Sequence, residues 1–241
     1  MHVHARDLRE RGFAVLEALV DADGVQRLRR ALQGMVEELC PPRLWAKPAV
    51  TLSERAVLTS PGLAFGRFLQ ERPELRPWVL PEPLTDAMQA TLGTDMVLEL
   101  AGAVVSDATR PFFTWHTHID GVDEGERYLS QSWPDVPSVQ RVLTLLYLQD
   151  LEPEVGPLYV LPRRAGDPTP PPHDLEDRAW PGMVELRPRA GTLVALDQCT
   201  WHAAARMRTD GHRYFVGCYF ASANVTSPAW ADPNLSWSRS A

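Results

Sequence analysis

The sequence predicts a mainly β fold with flanking helices (α+β), because strand-like runs dominate its second half and an amphipathic helix precedes them. From Met96 onward, runs of strand-forming residues alternate with turn signals at 96–105, 112–119, 142–148, 158–161, 184–186, 192–196 and 214–220. Many short strands separated by turns are typical of a sandwich or barrel. The 241 residues, 44% of them hydrophobic, can bury one core, so we expect a single domain over residues 1–241.

The N-terminal part predicts helical support for these strands. Residues 12–16 predict a short strand, and Asp21 and Asp23 are candidate N-caps of the helix behind it. Apolar residues then recur at helical spacing, at Val25, Leu28, Leu32, Met35 and Leu39. The expected divisions are helical support over about 1–95, with short helices around 63–70 and 83–92, a β core over about 96–221, and a tail over 222–241.

Composition and charge exclude several classes of protein. No stretch of eighteen or more apolar residues is present, and no apolar run follows a basic start, so we expect a cytoplasmic location and no membrane partner. The net charge of -7 leaves no basic surplus for phosphates, so no nucleic-acid partner is expected. Cys40, Cys199 and Cys218 lack the spacing of a zinc site or a disulfide framework.

The segment Trp115-His116-Thr117-His118-Ile119-Asp120 carries the strongest signal for chemistry. Side chains alternate along a strand, so residues 116, 118 and 120 would share one face. An iron(II) oxygenase needs two histidines and one carboxylate on one side of an octahedron, with the other positions open. His118 and Asp120 fit two of these ligands. His202, shortly after the predicted strand 192–196, is the candidate for the third.

Each of these residues also has a structural interpretation. In a chain with seven histidines, about one His-x-Asp/Glu pair arises by chance, so His116, His118 and His202 could be ordinary structural histidines. Arg213 favours the metal interpretation, because it stands eleven residues after His202 at the start of an apolar strand. There its planar guanidinium could clamp a carboxylate, although a surface arginine on a strand edge is the commoner alternative.

In their order along the chain, these features resemble the phytanoyl-CoA dioxygenase family of iron(II)/2-oxoglutarate-dependent oxygenases, over about residues 11–221. The likeness is carried by the opening strand and capped helix, residues 115–120 as the family's Trp-His-x-Asp region, Asp150, Gly-Pro-Leu-Tyr-Val-Leu-Pro at 156–162, Ala190-Gly191-Thr192, His202 and Arg213. The resemblance implies a double-stranded β-helix, which is a jelly-roll (cupin-like) barrel.

The resemblance leaves the first metal ligand open between two histidines. The family's tryptophan usually abuts the first ligand, which would make His116 that ligand and put His118 in the carboxylate's place. Because an acid is needed two residues after the histidine, we favour His118 and Asp120, with His116 as a nearby donor or substrate contact. The family often has Ser or Thr two residues after the second histidine to help bind 2-oxoglutarate. This chain has Ala204 there, so Arg213 is expected to bind more of that cosubstrate.

The activity that the resemblance implies is a dioxygenase using Fe(II), 2-oxoglutarate and O2 to oxidise a small-molecule metabolite. Hydroxylation is the default outcome, with release of succinate and CO2, and an intermediate of natural-product biosynthesis is favoured as substrate. Two alternatives stay open. One is a cupin-like metalloenzyme that uses His116, His118 and His202 without 2-oxoglutarate, and the other is a non-catalytic binding member of the fold, for which Ala204 is the only indication.

Two long connections, 121–138 and 163–181, are candidate binding loops or lids. The candidate substrate contacts on or beside them, or next to the ligands, are His116, Trp115, Tyr128, Trp133, Arg163 and Trp201. Packing in the core or on the surface is an equal alternative for each tryptophan. The pair Arg163-Arg164 points to an acidic substrate, with a solvated surface pair as the alternative.

Overall fold

The computed structural model describes residues 2–121 and 130–237. The α-helices of these residues are α1 (Val3–Arg11), α2 (Ala22–Leu39), α3 (Phe68–Glu71), α4 (Arg76–Val79) and α5 (Glu82–Leu92). Asp21 caps α2, because its side chain accepts the backbone N–H of Gly24 at 2.8 Å. None of these helices combines the length and the apolar character that crossing a membrane requires.

The strands of the described residues form two antiparallel sheets. They are β1 (Phe13–Leu16), β2 (Val50–Thr51), β3 (Ala56–Leu58), β4 (Leu63–Phe65), β5 (Val97–Ser106), β6 (Phe113–His116), β7 (Arg141–Tyr147), β8 (Leu158–Val160), β9 (Val184–Leu186), β10 (Leu193–Asp197), β11 (His202–Ala204) and β12 (Arg213–Ala221). The larger sheet has the order β1-β10-β7-β12-β5-β4-β3-β2, and the smaller has the order β6-β11-β8-β9. The predicted mainly β fold with flanking helices is confirmed.

The long central strand β12 separates two environments, because its side chains alternate between the faces of the larger sheet. Tyr214, Val216, Cys218 and Phe220 belong to the main hydrophobic core, together with buried residues of α2 and α5. The odd-numbered residues 213–219 line a cavity that also has walls from the smaller sheet. The cavity therefore lies between the two sheets, and the helices cover the opposite face of the larger one.

The strand β5, which pairs with β12, repeats this pattern. Ala101, Ala103 and Val105 are buried in the main core, whereas Leu100 and Val104 are half-buried at the cavity. Gly102 stands between these two cavity residues, and a Cβ there would lie 2.8 Å from the carbonyl oxygen of Phe65. A glycine is needed at this position because the neighbouring backbone approaches too closely for any side chain.

The structure differs from the sequence-based expectation in three segments. Helix α1 was not expected, and the segment expected to be helical around 63–70 begins as β4 and becomes helical only at Phe68. Pairing of β4 with β5 accounts for this, since Leu63 and Phe65 lie opposite residues of β5 and are buried. The expected tail also packs on the fold: the N–H of Asp232 donates to the carbonyl of Glu99 at 2.8 Å.

Candidate metal centre

Three histidines converge at the cavity between the sheets. His116 ends β6 and His202 begins β11, and the two are direct cross-strand partners. His118 follows two residues after β6, where its backbone N–H donates to the carbonyl of Gln198 at 2.8 Å. One ligand nitrogen from each imidazole lies within 4.8 Å of the other two. Three nitrogens at this separation can coordinate a single transition-metal ion.

Each imidazole has its Nδ1 engaged by a neighbour. Nδ1 of His116 donates to the carbonyl of Thr114 at 2.8 Å, and Nδ1 of His202 donates to the carbonyl of Thr200 at 2.9 Å. Nδ1 of His118 lies 3.2 Å from the hydroxyl of Tyr219. Such contacts fix the ring orientation and tautomer of metal-binding histidines, leaving Nε2 as the ligand atom.

Burial keeps the three imidazoles in their neutral form. It lowers the pKa of His202 to about 4, and it lowers the pKa of His116 and His118 well below the ordinary value of 6.5. The neighbouring imidazoles add to the lowering for His116 and His118, because two positive rings would repel each other. A metal ion requires deprotonated ligands, so this donor set suits a divalent transition metal.

Asp120 lies outside this group. Its side chain is exposed, and its backbone adopts the left-handed conformation at φ 54 within a short 3-10 turn, Ile119–Gly121. Beyond the end of β6 the alternation of a strand no longer applies, so Asp120 does not follow His116 and His118 onto one face. No carboxylate of the described residues belongs to the group of ligand atoms around the three imidazoles.

A buried polar network supports the segment that carries His118. The side-chain oxygen of Gln198 accepts the backbone N–H of Asp120 at 3.1 Å and Nη1–H of Arg141 at 3.0 Å. Arg141 is in turn paired with Glu99 through contacts of 2.6 and 3.0 Å, and both side chains are almost completely buried. Gln198 therefore ties the turn after His118 to the connection between β10 and β11, which leads to His202.

Arg213 lies at the same cavity and has no acidic partner among the described residues. Its Nη1 donates to the carbonyls of Gly156 at 2.7 Å and Ala205 at 3.2 Å, and its Nε is buried without a hydrogen-bond partner. Burial lowers the pKa of this guanidinium, which nonetheless stays charged because an arginine pKa is far above neutrality. A buried cation without a counter-ion is costly, so this end of the cavity is suited to an anion.

The cavity has a volume of about 260 Å³, and its other walls are mainly apolar. It brings together His116, His118, His202, Arg213 and Ala204 of the residues singled out from the sequence. Ala204 contributes no hydrogen-bonding group to it. Tyr147 and Tyr219 also line it, and sequence reasoning missed both. Tyr219 could have been found, since residues 213, 215, 217 and 219 share one face of β12.

The remaining predicted substrate contacts lie elsewhere or outside the described residues. Trp115 and Trp201 are buried in an aromatic cluster with Trp180, whose ring stacks on Trp115 at 4.3 Å between centroids. Trp133 is half-buried against Trp201, with ring centroids 5.5 Å apart. None of these tryptophans is among the residues that line the cavity.

Arg163 is buried in an ion pair with Asp197, with Nη1 and Oδ2 3.0 Å apart. It therefore does not supply a positive charge to the cavity, because an acidic group of the protein already neutralises it. Tyr128 lies outside the described residues. Of the candidate substrate contacts, His116 alone is among the described cavity residues.

The paired antiparallel sheets, with imidazoles gathered between them, define the class of cupin-like jelly-roll metalloenzymes. The chain belongs to the phytanoyl-CoA dioxygenase family of non-haem iron, 2-oxoglutarate-dependent enzymes, whose family model matches residues 8–215. Iron(II), 2-oxoglutarate and O2 are the cofactor and cosubstrates of this family. The family membership and the jelly-roll fold expected from the sequence are confirmed.

Several solved structures share this fold. One is the non-haem α-ketoglutarate-dependent carbocyclase SnoK from nogalamycin biosynthesis, with 20% identity, TM-score 0.64, and coverage of 91% of this chain and 83% of that one. Another is HygX from Streptomyces hygroscopicus with nickel and 2-oxoglutarate bound, with 14% identity, TM-score 0.65, and coverage of 94% and 89%. The epimerase SnoN from nogalamycin biosynthesis is 16% identical, with TM-score 0.62 and coverage of 91% and 82%. No curated protein matches the chain.

Proposed function

We propose that this protein is an Fe(II)/2-oxoglutarate-dependent dioxygenase that hydroxylates a small-molecule metabolite of natural-product biosynthesis. In the overall reaction, the substrate C–H group, O2 and 2-oxoglutarate give the alcohol, succinate and CO2. His116, His118 and His202 would hold the metal, and Arg213 would bind the carboxylate of 2-oxoglutarate remote from the metal. The natural-product context is taken from structures of the same fold, which come from the nogalamycin pathway and include HygX with hygromycin B bound.

One observation carries the proposal: a cluster of neutral imidazoles and a buried arginine without an acidic partner share one cavity between the sheets. A diacid can satisfy both, because one carboxylate can approach the metal while the other pairs with Arg213. A metal centre alone would not account for a buried guanidinium whose Nε has no partner.

The proposed ligand set has three histidines in place of two histidines and a carboxylate. His118 stands two residues after His116, where the family's His-x-Asp pattern has its acid, and Asp120 is exposed outside the group. Since three imidazoles are neutral, no charge of the ligand set offsets that of a divalent metal. The anionic cosubstrate would then supply the compensating charge, which makes metal and 2-oxoglutarate binding strongly interdependent.

When bound, the metal supplies activation of O2 coupled to the oxidative decarboxylation of 2-oxoglutarate. The chain's own residues bind and orient. Thr114, Thr200 and Tyr219 hold the three imidazole rings in position through Nδ1. The apolar walls exclude water, so that the contact between Arg213 and a carboxylate is stronger than it would be in solvent.

The test is an anaerobic titration of the protein with Fe(II) and then 2-oxoglutarate, followed by visible absorption and, after O2 is admitted, by succinate. We expect a charge-transfer band of the metal chelate and then succinate formation. His118→Ala should abolish the band, Arg213→Met should shift it to much higher 2-oxoglutarate concentration, and Asp120→Ala should leave it unchanged.

Other outcomes favour the other candidate functions. Metal binding without a band or succinate would point to a metalloenzyme of this fold that does not use 2-oxoglutarate. A band without succinate, across a broad panel of small molecules, would point to a binding protein. Loss of the band in Asp120→Ala with the fold intact would restore Asp120 as a ligand.

A further inference from the structure

One wall of the cavity carries no hydrogen-bonding side chain among the described residues. It is formed by β4, β5, β6 and the turn before β4, with side chains of Pro61, Ala64, Leu100, Val104 and Phe113. All five are half-buried, so they face space rather than a filled core. The charged and polar groups of the cavity, namely the imidazoles, Arg213, Tyr147 and Tyr219, come from other strands or from the end of β6.

A second cavity, of about 250 Å³, adjoins the first. It is lined by Leu100, His118, Gly121, Tyr219 and Trp230. Leu100, His118 and Tyr219 also line the cavity at the histidines. The two cavities therefore share a boundary formed by Leu100, His118 and Tyr219, and Trp230 lines the second of them.

Trp230 gives the second cavity an aromatic wall. Its side chain is 40% exposed, one of the few large apolar side chains on the described surface. Its Nε1–H donates to the carbonyl of Gly121 at 3.0 Å, which fixes the plane of the indole, and its ring lies 5.0 Å from that of Tyr219. An indole whose one polar group is already bonded offers an apolar face to whatever enters.

This wall disfavours polar groups placed against it, because it offers them no hydrogen-bonding side chain. A hydroxyl, amine or carboxylate placed between Leu100, Val104 and Phe113 would lose its water without finding a partner. Each such group costs about tenfold or more in affinity. The acidic substrate expected from Arg163 finds no support here, since that guanidinium is bound to Asp197.

We propose that the substrate is an apolar molecule that presents a carbon skeleton to the wall of Leu100, Val104 and Phe113 and extends toward Trp230. This inference rests on the proposed function for its chemistry, but the predicted preference for an apolar ligand can be measured by binding alone.

The test uses protein loaded with Ni(II), with and without 2-oxoglutarate, so that no turnover occurs. Two ring probes of comparable size and opposite polarity, 2-naphthol and methyl glucoside, are titrated by calorimetry. We expect 2-naphthol to bind at least tenfold more tightly than methyl glucoside. Leu100→Gln and Trp230→Ala should each weaken 2-naphthol binding at least fivefold, while Val57→Ala, an exposed apolar site on β3, should not.

Equal or tighter binding of methyl glucoside would overturn the inference, as would 2-naphthol affinity that is unchanged in both cavity variants. Circular dichroism of each variant separates loss of binding from loss of fold. The proposed function is tested separately, because it fails if 2-oxoglutarate does not bind the Ni(II) protein. In that case the 2-naphthol titration on Ni(II) protein alone still decides the question of substrate class.

Discussion

Replacing either of two buried arginines by methionine should change the stability of the protein by very different amounts. Arg141 is 1% exposed and is paired with Glu99, which is completely buried. Arg213 is 7% exposed and donates to backbone carbonyls, with no acidic partner among the described residues. Methionine fills much of the space of either side chain without the charge. Arg141→Met therefore strands a carboxylate, whereas Arg213→Met removes an uncompensated cation.

The magnitudes follow from these contacts. Leaving Glu99 buried and unpaired costs about 3–5 kcal/mol, which corresponds to a fall in Tm of about 6–20 °C for a chain of this size. Arg213→Met loses two hydrogen bonds to carbonyls but relieves the burial of a charge, so metal-free stability should change by no more than about 1–2 kcal/mol. Two hydrogen bonds from a guanidinium to a carboxylate are worth about 3–6 kcal/mol together, so 2-oxoglutarate affinity should fall about 140- to 20,000-fold.

Differential scanning calorimetry of the metal-free variants measures the change in Tm. Anaerobic calorimetric titration of the metal-loaded proteins with 2-oxoglutarate measures the change in affinity. The reasoning is refuted if Arg213→Met lowers Tm as far as Arg141→Met does. It is equally refuted if Arg213→Met binds 2-oxoglutarate within threefold of the unsubstituted protein.

Three further predictions concern the supports of the site. Gln198→Leu removes an acceptor of two hydrogen bonds, so it should weaken Co(II) affinity about 10- to 100-fold. Gln198→Glu keeps an acceptor oxygen and should restore the affinity. An equal loss of Co(II) affinity in the Leu and Glu variants would contradict a positioning role. Burial lowers the pKa of His202 from 6.5 to about 4, so its contribution to metal-free stability is complete above about pH 6.5 and is lost as the pH falls toward 4, by about 3 kcal/mol. Urea unfolding at pH 7 and 4.5 should show this loss in the free energy of unfolding. If that free energy falls by the same amount between the two pH values in His202→Gln, the prediction is contradicted. Gly156→Ala, at a backbone φ of 90, places a Cβ 2.8 Å from Nη1 of Arg213 and even closer to the carbonyl oxygen of Ala205, which accepts a hydrogen bond from that Nη1. It should therefore weaken 2-oxoglutarate binding more than Co(II) binding, and an equal loss in paired titrations would contradict this.

Alternation along strands explains much of what the sequence could predict about the site. It correctly placed His116 and His118 on one face, and the structure brings them to one cavity with His202 and with Arg213, which was expected there from its place at the start of a strand. The same rule separates Trp115 and Trp201 from the cavity, since each is one residue away from a histidine that faces it. Applied in full to β12, it would also have identified Tyr219.

The rule did not extend to residues beyond the strands. β6 ends at His116, and the chain then enters a turn in which Asp120 takes a left-handed conformation. No local pattern marks that end, because it depends on Gln198, which is distant in sequence and binds both ends of the turn. Trp230 was similarly invisible, because the segment after β12 has no periodicity and is held by single contacts such as the one from Trp230 to Gly121.

In the proposed metal centre, three imidazoles would coordinate the metal without a protein carboxylate. X-ray absorption spectroscopy of the Co(II)-loaded protein tests it most directly, since multiple scattering from imidazole rings counts the histidine ligands. We predict three imidazoles per metal, and the same count in Asp120→Asn. A count of two, with a carboxylate that disappears in Asp120→Asn, would contradict the account.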